Sequence, residues 1–126
     1  MKRILLYAIA ACTVYLMLTS LCLAEGKKIN AREAASYIGK NVTVCGAVAS
    51  AKYAFRSKGQ PTFLNLDEPY PHQIFTVLIW GSDRPAFAKP EIYYSGKNIC
   101  VNGDIKMYRG TPEIIARNPD QIKLNN

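Results

Sequence analysis

The chain has 126 residues, of which 49% are hydrophobic, and a formal net charge of +7. It holds a single histidine and no Cys-x-x-Cys pair, so zinc coordination and thiol redox chemistry both lack their ligands. These two classes of function are therefore excluded at the outset.

The N-terminus is the most apolar part of the chain. A short basic start precedes an almost unbroken apolar run over residues 4–24, and charged residues follow at 25–28. This pattern is typical of an export signal, and we expect cleavage after Ala24. The run is also about long enough to span a bilayer, so an uncleaved membrane anchor is the alternative. We predict that residues 1–24 are a signal peptide or membrane anchor, and that residues 25–126 form one domain in the periplasm or outside the cell.

The predicted domain is basic. The chain has 16 lysines and arginines, and Lys2 and Arg3 precede the domain, which leaves 14 cations against 9 acidic residues and a net charge of +5. Such a charge permits binding to nucleic acid, anionic lipid or acidic glycan. It equally serves solubility, so the charge alone does not decide the function.

The first elements of the domain are a helix and a strand. Asn30 is followed three positions later by Glu33, which predicts a capping box and a short helix that ends at Gly39. Residues 41–49 alternate in polarity and predict the first strand. Gly46 interrupts this strand and indicates a bulge or a sharp bend.

Residues 52–60 form a predicted loop in which cations alternate with aromatic rings. Its candidates for ligand binding are Tyr53, Phe55, Arg56 and Lys58. Cations beside rings suit a strand of nucleic acid, because phosphates meet the charges and bases stack on the rings. The alternative is that Tyr53 or Phe55 simply closes the end of a barrel.

A hairpin forms the middle of the predicted fold. Residues 62–66 and 74–80 are rich in β-branched, aromatic and aliphatic residues, whereas residues 67–73 form a long tip with two prolines. Side chains alternate along a strand. We therefore expect an outward-facing set that comprises Phe63, Asn65, Asp67, Thr76, Leu78 and Trp80.

The C-terminal half predicts a short helical connection and two strands. Residues 82–95 should form one or two helical turns, with Phe87 and Ile92 filling the core. Residues 98–108 predict a long strand that breaks at Gly103. A turn at 109–112 then leads into a last strand at 113–117, and we expect the polar tail, residues 123–126, to be loose.

The predicted domain contains two cysteines. Cys45 and Cys100 each lie on the face of a predicted strand opposite the aliphatic residues, and an oxidising compartment favours a disulfide. Such a bridge closes a long loop and would contribute about 3 to 4 kcal/mol. Two separate thiols are the alternative.

The element order and several motifs resemble a known family. Val-Thr-Val-Cys-Gly, Thr-Phe-Leu-Asn-Leu-Asp, Phe-Thr-Val-Leu-Ile-Trp-Gly and Tyr-Arg-Gly-Thr-Pro-Glu-Ile-Ile resemble the tRNA-anticodon-binding-like branch of OB-fold nucleic-acid-binding domains, in a small exported bacterial version. The likeness covers residues 39–122. It implies an all-β fold, namely a five-stranded OB-fold Greek-key barrel with a short N-terminal helix and a short helical connection between strands 3 and 4.

The resemblance also implies a binding face on the second and third strands, framed by the first loop and the last turn. Carried onto this sequence, the nucleic-acid-binding candidates are Tyr53, Phe55, Arg56, Lys58, Phe63, Asn65, Thr76, Trp80, Lys106, Tyr108 and Arg109. Asp67 and Glu68 depart from this scheme, because they place negative charge beside the face and would repel phosphate unless they turn away.

We expect a binding protein rather than an enzyme. A nuclease of the micrococcal type would need carboxylates that converge on a metal, but Asp67 and Glu68 point to opposite faces and Asp104 lies on another strand. His72 has no nucleophile nearby in the sequence. We therefore predict a monomer without cofactor or metal that binds single-stranded DNA or RNA with low sequence specificity. The alternative is an envelope module that binds a protein or an oligosaccharide.

Overall fold

A computed structural model describes residues 26–126, and the predicted signal peptide or anchor lies outside these residues. The described chain contains seven strands, which are β1 (Lys28–Asn30), β2 (Asn41–Tyr53), β3 (Thr62–Leu66), β4 (Phe75–Ile79), β5 (Asn98–Tyr108), β6 (Thr111–Ile115) and β7 (Ile122–Leu124). It also contains the 3-10 helices η1 (Ala31–Tyr37), η2 (Arg84–Phe87) and η3 (Pro119–Gln121), and one α-helical turn, α1 (Pro90–Tyr93). No helix among these residues is long and apolar enough to cross a membrane.

Five of the strands close into a ring. β2 pairs with β3, β3 with β4, β4 with β6, β6 with β5, and β5 again with β2. The β4–β6 pair is parallel, whereas the other four pairs of the ring are antiparallel. The predicted five-stranded arrangement is therefore present, within a mixed sheet of seven strands.

β2 bends in order to serve both sides of the ring. Residues 41–47 of β2 pair with β5, and a bulge between Val48 and Ser50 precedes the pairing with β3. The predicted interruption at Gly46 therefore lies two residues before the bulge. Gly46 is required for a different reason, since a Cβ atom there would lie 2.9 Å from Oδ1 of Asp67.

The core follows the predicted alternation of side chains. The inward residues of the ring strands are fully or almost fully buried, and they include Val42, Val44, Val48, Leu64, Leu66, Phe75, Val77, Ile79, Ile99, Val101, Ile105 and Ile114. Burial of a large aliphatic or aromatic side chain contributes about 1.5 to 3 kcal/mol. This apolar interior holds the barrel together and fixes which side chains point outward.

The ends of the barrel differ from the predictions. β1 and β7 extend the sheet beyond the ring, so the prediction of a loose tail at residues 123–126 is wrong for Lys123 and Leu124. Phe87 is buried as predicted, but Ile92 is 67% exposed and Tyr94 occupies the core instead. Because α1 has a single turn, only one of its faces meets the barrel.

The predicted N-terminal helix is confirmed as the 3-10 helix η1. The backbone N–H of Glu33 donates to Oδ1 of Asn30 at 3.0 Å, and the N–H of Asn30 donates to the Glu33 carboxylate at 3.3 Å. These two bonds form the predicted capping box. The helix ends at Tyr37, and Ile38 is the capping residue immediately before Gly39.

The predicted disulfide is also present. Cys45 on β2 is the direct cross-strand partner of Cys100 on β5, and the two sulfurs are bonded at 2.05 Å. The bridge joins positions 55 residues apart in sequence. It therefore closes a loop that includes β3, β4 and the helical connection.

We expect loss of this bridge to lower the free energy of unfolding by about 3 to 4 kcal/mol, because the unfolded chain regains the entropy of the opened loop. The measurement is urea unfolding of the Cys45→Ala/Cys100→Ala variant against the oxidised protein. Reduction of the native protein by dithiothreitol should cause a similar loss, and the same reductant should leave the double variant unchanged. Equal stability of the oxidised protein and the variant would contradict the prediction.

Candidate functional site

The outward side chains of the ring strands form a continuous surface, which we call the outer face. Strand register aligns them in rows across the sheet. One row runs from β2 to β5 through directly paired positions, and we call it the polar row. Its members are Ser50, Asn65, Thr76, Glu113 and Lys106.

Hydrogen bonds connect one half of the polar row. Thr76 Oγ1 donates to Oδ1 of Asn65 at 2.9 Å, and Nδ2 of Asn65 donates to Oγ of Ser50 at 3.0 Å. The backbone N–H of Tyr70 donates to the same hydroxyl oxygen at 3.0 Å. Asn65 and Thr76 are 4% and 6% exposed. The two predicted site residues therefore lie on the outer face but hold each other in place, and little of their surface is free.

Glu113 is the acidic member of the polar row. It is only 7% exposed, although its cross-strand partners Thr76 and Lys106 lie on either side. Within residues 26–126 the ion pairs are Arg32–Glu68 and Arg84–Glu91, so Glu113 forms none. Burial raises the pKa of the Glu113 carboxyl, and the positive charge of Lys106 only partly opposes this shift.

An apolar row lies next to the polar row. Phe63 on β3 has Lys52 and Leu78 as its cross-strand partners, and Leu78 in turn faces Ile115 on β6. Phe63 is half-buried, whereas Lys52 is exposed. Leu64 and Leu66 alternate with Phe63 and Asn65 along β3, and both leucines are fully buried. This alternation is consistent with the predicted outward direction of Phe63.

Trp80 follows β4 and is 39% exposed. It borders an open depression of ≈ 410 Å³ that is also lined by Gly59, Gln60, Gly81 and Ser82. Gly59 has a φ of +77°, and a Cβ atom there would lie 2.9 Å from Cζ3 of the indole. Only glycine allows the loop backbone to approach the ring so closely. A hydrogen bond from the Gly81 N–H to the Gly59 carbonyl at 2.9 Å fixes this approach.

The two connections predicted to frame the face each present a ring beside an arginine. In the β2–β3 loop Phe55 is 57% exposed, and the Arg56 guanidinium lies 5.4 Å from its ring centre. At the β5–β6 turn Tyr108 is 54% exposed, and Arg109 lies 5.3 Å from its ring centre. Lys58 is exposed in the same loop as Arg56.

Tyr53 is engaged within the protein. The guanidinium of Arg84 lies 3.7 Å from the centre of the Tyr53 ring, and Arg84 also forms a 2.6 Å ion pair with Glu91. The Tyr53 and Phe55 rings are tilted against each other, with centres 6.1 Å apart. One surface of Tyr53 is thus covered by Arg84. Tyr53 is the last residue of β2 and pairs with Thr62, so the prediction that it lies in the loop is wrong, and Phe55 is the exposed ring of the loop.

The two acidic residues at the end of β3 have partners of their own. Oδ1 of Asp67 accepts a hydrogen bond from the Ala47 N–H at 3.0 Å. Glu68 lies 3.7 Å from the guanidinium of Arg32 on the exposed surface. Both carboxylates are therefore occupied in this structure. No group of three or more His, Cys, Asp or Glu residues able to hold a metal occurs within the described part of the chain.

Several residues of this surface were not among the predicted candidates, including Ser50, Lys52, Tyr70, Leu78 and Glu113. The sequence could have indicated Glu113, because it is a charged residue within a predicted strand, directly before the apolar pair Ile114-Ile115. No such indication exists for Ser50 or Tyr70, because their contact joins β2 to a loop twenty residues away. The Tyr70 side chain is 73% exposed.

Comparisons with known proteins identify the fold. No protein-family model matches the chain, and neither does any curated protein. Several solved structures are similar, and two of them are aspartyl-tRNA synthetases. One is described as an aspartyl-tRNA synthetase from Leishmania major Friedlin, with a TM-score of 0.56 at 11% identity over 80% of this chain. The other is an aspartyl-tRNA synthetase from Entamoeba histolytica, with a TM-score of 0.51 at 18% identity over 82% of this chain.

The chain spans about a fifth of each of those synthetases, 21% and 22% respectively. At such low identity the similarity establishes the fold alone. Together with the five-strand ring, it shows that the chain has a mostly β, OB-like fold. The predicted barrel class is thereby confirmed in its general form, whereas the ligand of the barrel is a separate question.

Replacement of the buried acid tests the electrostatics of the outer face. Burial makes the pKa of the Glu113 carboxyl higher in the folded than in the unfolded state. Its ionisation therefore lowers the free energy of unfolding as the pH rises from the unfolded-state pKa through the folded-state pKa. Glu113→Gln should therefore raise the free energy of unfolding at pH 8, by on the order of 1 kcal/mol, and leave it nearly unchanged at about pH 4. Urea unfolding at both pH values measures this. A matched exposed variant, Asp104→Asn, should not show the same pH-dependent gain.

Proposed function

We propose that this chain is an exported, non-catalytic OB-fold module that binds single-stranded nucleic acid, DNA or RNA, with low sequence specificity. The observation that supports this proposal is a half-buried outward Phe63 on β3 and an exposed Trp80 directly after β4, together with two exposed ring-and-arginine pairs in the connections, Phe55–Arg56 and Tyr108–Arg109. The similarity to aspartyl-tRNA synthetases, whose substrate is an RNA, agrees with it.

Rings of this kind suit unpaired bases. A base stacked on an aromatic side chain contributes about 1 to 3 kcal/mol, and every base offers such a surface. Phe63 would bind one base at the centre of the sheet, and Trp80 would bind another at the end of β4. Stacking distinguishes the four bases poorly, so we expect little sequence preference.

The cations of the outer face would bind the phosphates. Lys52, Arg56 and Lys58 lie on the β2–β3 side, and Lys106 and Arg109 lie on the β5–β6 side, all of them exposed. Each phosphate contact releases counterions, so the affinity should fall steeply with salt. Of the two carboxylates beside the face, Glu68 lies 3.7 Å from the Arg32 guanidinium, whereas Asp67 accepts a hydrogen bond from the Ala47 N–H and keeps its negative charge.

An envelope module that binds an oligosaccharide is the second candidate, and one observation favours it. The depression beside Trp80 is lined by glycines, Gln60 and Ser82, without a charged residue. A tryptophan beside amide and hydroxyl groups would also suit a neutral sugar ring. The two candidates differ in salt dependence, because a neutral ligand releases few counterions.

Loss of the two central rings should weaken binding strongly. We expect Phe63→Ala/Trp80→Ala to bind labelled oligo-dT at least about 30-fold more weakly, since two stacking contacts are lost. Fluorescence anisotropy measures this, with urea unfolding as a check of the fold. Tyr93→Ala removes an exposed ring from α1 and should bind like the native protein. Similar affinities of the double variant and the native protein would refute the stacking role.

Loss of the flanking cations should alter the salt dependence instead. The variant Arg56→Gln/Lys58→Gln/Arg109→Gln should reduce the slope of log K against log salt by about 2, because three phosphate contacts to a single strand are lost. The matched control is Lys28→Gln/Lys89→Gln/Lys123→Gln, which removes the same charge from β1, β7 and the residue before α1. If both triple variants lower the slope equally, binding does not depend on this face.

A further inference from the structure

We propose that nucleic-acid binding to the outer face is coupled to the uptake of one proton from solvent by Glu113, so that affinity rises as the pH falls. This inference rests on the proposed function. Glu113 lies in the middle of the polar row, between Thr76 on β4 and Lys106 on β5, and is 93% shielded from solvent within a surface that would bind a polyanion.

The surroundings of Glu113 contain little positive charge. On β5 the outward residues are Lys106, directly opposite, and Asp104, which accepts a 2.9 Å hydrogen bond from Asn41. β4 presents Thr76 and Leu78 to the same face, and neither of them titrates. Tyr108 is the next outward residue of β5 after Lys106, and Arg109 follows it in the turn. The strands β3 and β2 contribute a more distant set of outward side chains, which are Phe63, Asn65, Ser50 and Lys52.

Lys106 is therefore the one cation directly opposite Glu113 in the described part of the ring. Lys106 is also a candidate phosphate contact. A phosphate bound there would compete with the Glu113 carboxylate for the positive charge of the lysine. The carboxylate would then share a poorly hydrated surface with an additional anion. Protonation removes this repulsion. Burial already raises the pKa of Glu113 in the free protein, so the extra shift on binding moves its titration toward neutral pH.

The test is the affinity for labelled oligo-dT between about pH 5 and pH 8 at constant ionic strength, since thymine gains no proton in this range. We expect native affinity to rise about five- to tenfold from pH 8 to pH 5, as repulsion by one charge is removed. Glu113→Gln should bind more tightly than the native protein at pH 8, and its affinity should not depend on pH.

Two controls separate Glu113 from the other titrating groups. Asp104→Asn removes the neighbouring carboxylate of β5, and His72→Gln removes the exposed histidine of the β3–β4 loop. Both should keep the native pH dependence. Calorimetry in two buffers with different ionisation enthalpies should detect the uptake of up to one proton by the native protein and none by Glu113→Gln. Titration of the Glu113 carboxyl by NMR, which needs no variant, should give a higher pKa with oligo-dT than without it.

The outcomes distinguish this inference from the proposed function. Tight native binding without pH dependence, or a pH dependence that persists in Glu113→Gln, would overturn the coupling and leave nucleic-acid binding intact. An unchanged pKa of Glu113 in the complex would overturn it as well. Absence of binding at every pH and at low salt would refute both proposals.

Discussion

The fold depends on the point at which β2 changes partner from β5 to β3. There Asp67, at the end of β3, bonds both backbone groups of Ala47: its N–H donates to the Ala47 carbonyl at 2.7 Å, and its side chain accepts from the Ala47 N–H at 3.0 Å. Asp67 adopts a φ of +67°, which aspartate tolerates better than most residues. Gly46 leaves room for the carboxylate, and the Cys45–Cys100 bridge fixes β2 to β5 just before the bend. A residue that the sequence suggested as an obstacle to binding thus maintains the closure of the barrel.

Much of this fold was predictable, because every second residue of the ring strands points into the core and most of these residues are apolar. The bounds of β3 and β5 agree with the prediction, and those of β4 agree within one residue at each end. β2 continues four residues beyond its predicted end at residue 49, and β6 begins and ends two residues before the predicted strand at 113–117. β1 and β7 were not predictable, since each has three residues and buries only one, Ile29 or Ile122. So short a segment has no period, and its pairing depends on a strand that is distant in sequence.

The candidate site was predictable only in part. Alternation along single strands places Phe63, Asn65 and Thr76 outward, and it needs no knowledge of neighbouring strands. The chain of hydrogen bonds from Thr76 to Ser50 depends on register across three strands, which no local pattern specifies. The cover that Arg84 provides for Tyr53 depends likewise on how the helical connection folds back. Local patterns therefore indicated which side chains face outward, and tertiary structure decides which of them are free.

The distribution of charge on the outer face bears on the choice between ligands. Its cations lie at the two margins, in the β2–β3 loop and around the β5–β6 turn, whereas its centre holds Phe63, Leu78 and an amide–hydroxyl pair. A ligand that matches this pattern carries its charge along its edge and exposes neutral rings beside that edge. A single strand of nucleic acid has this form, because its phosphates alternate with bases. A neutral oligosaccharide would leave the marginal arginines without a role. The charge pattern therefore supports the nucleic-acid proposal more strongly than the uncharged depression beside Trp80 supports its rival.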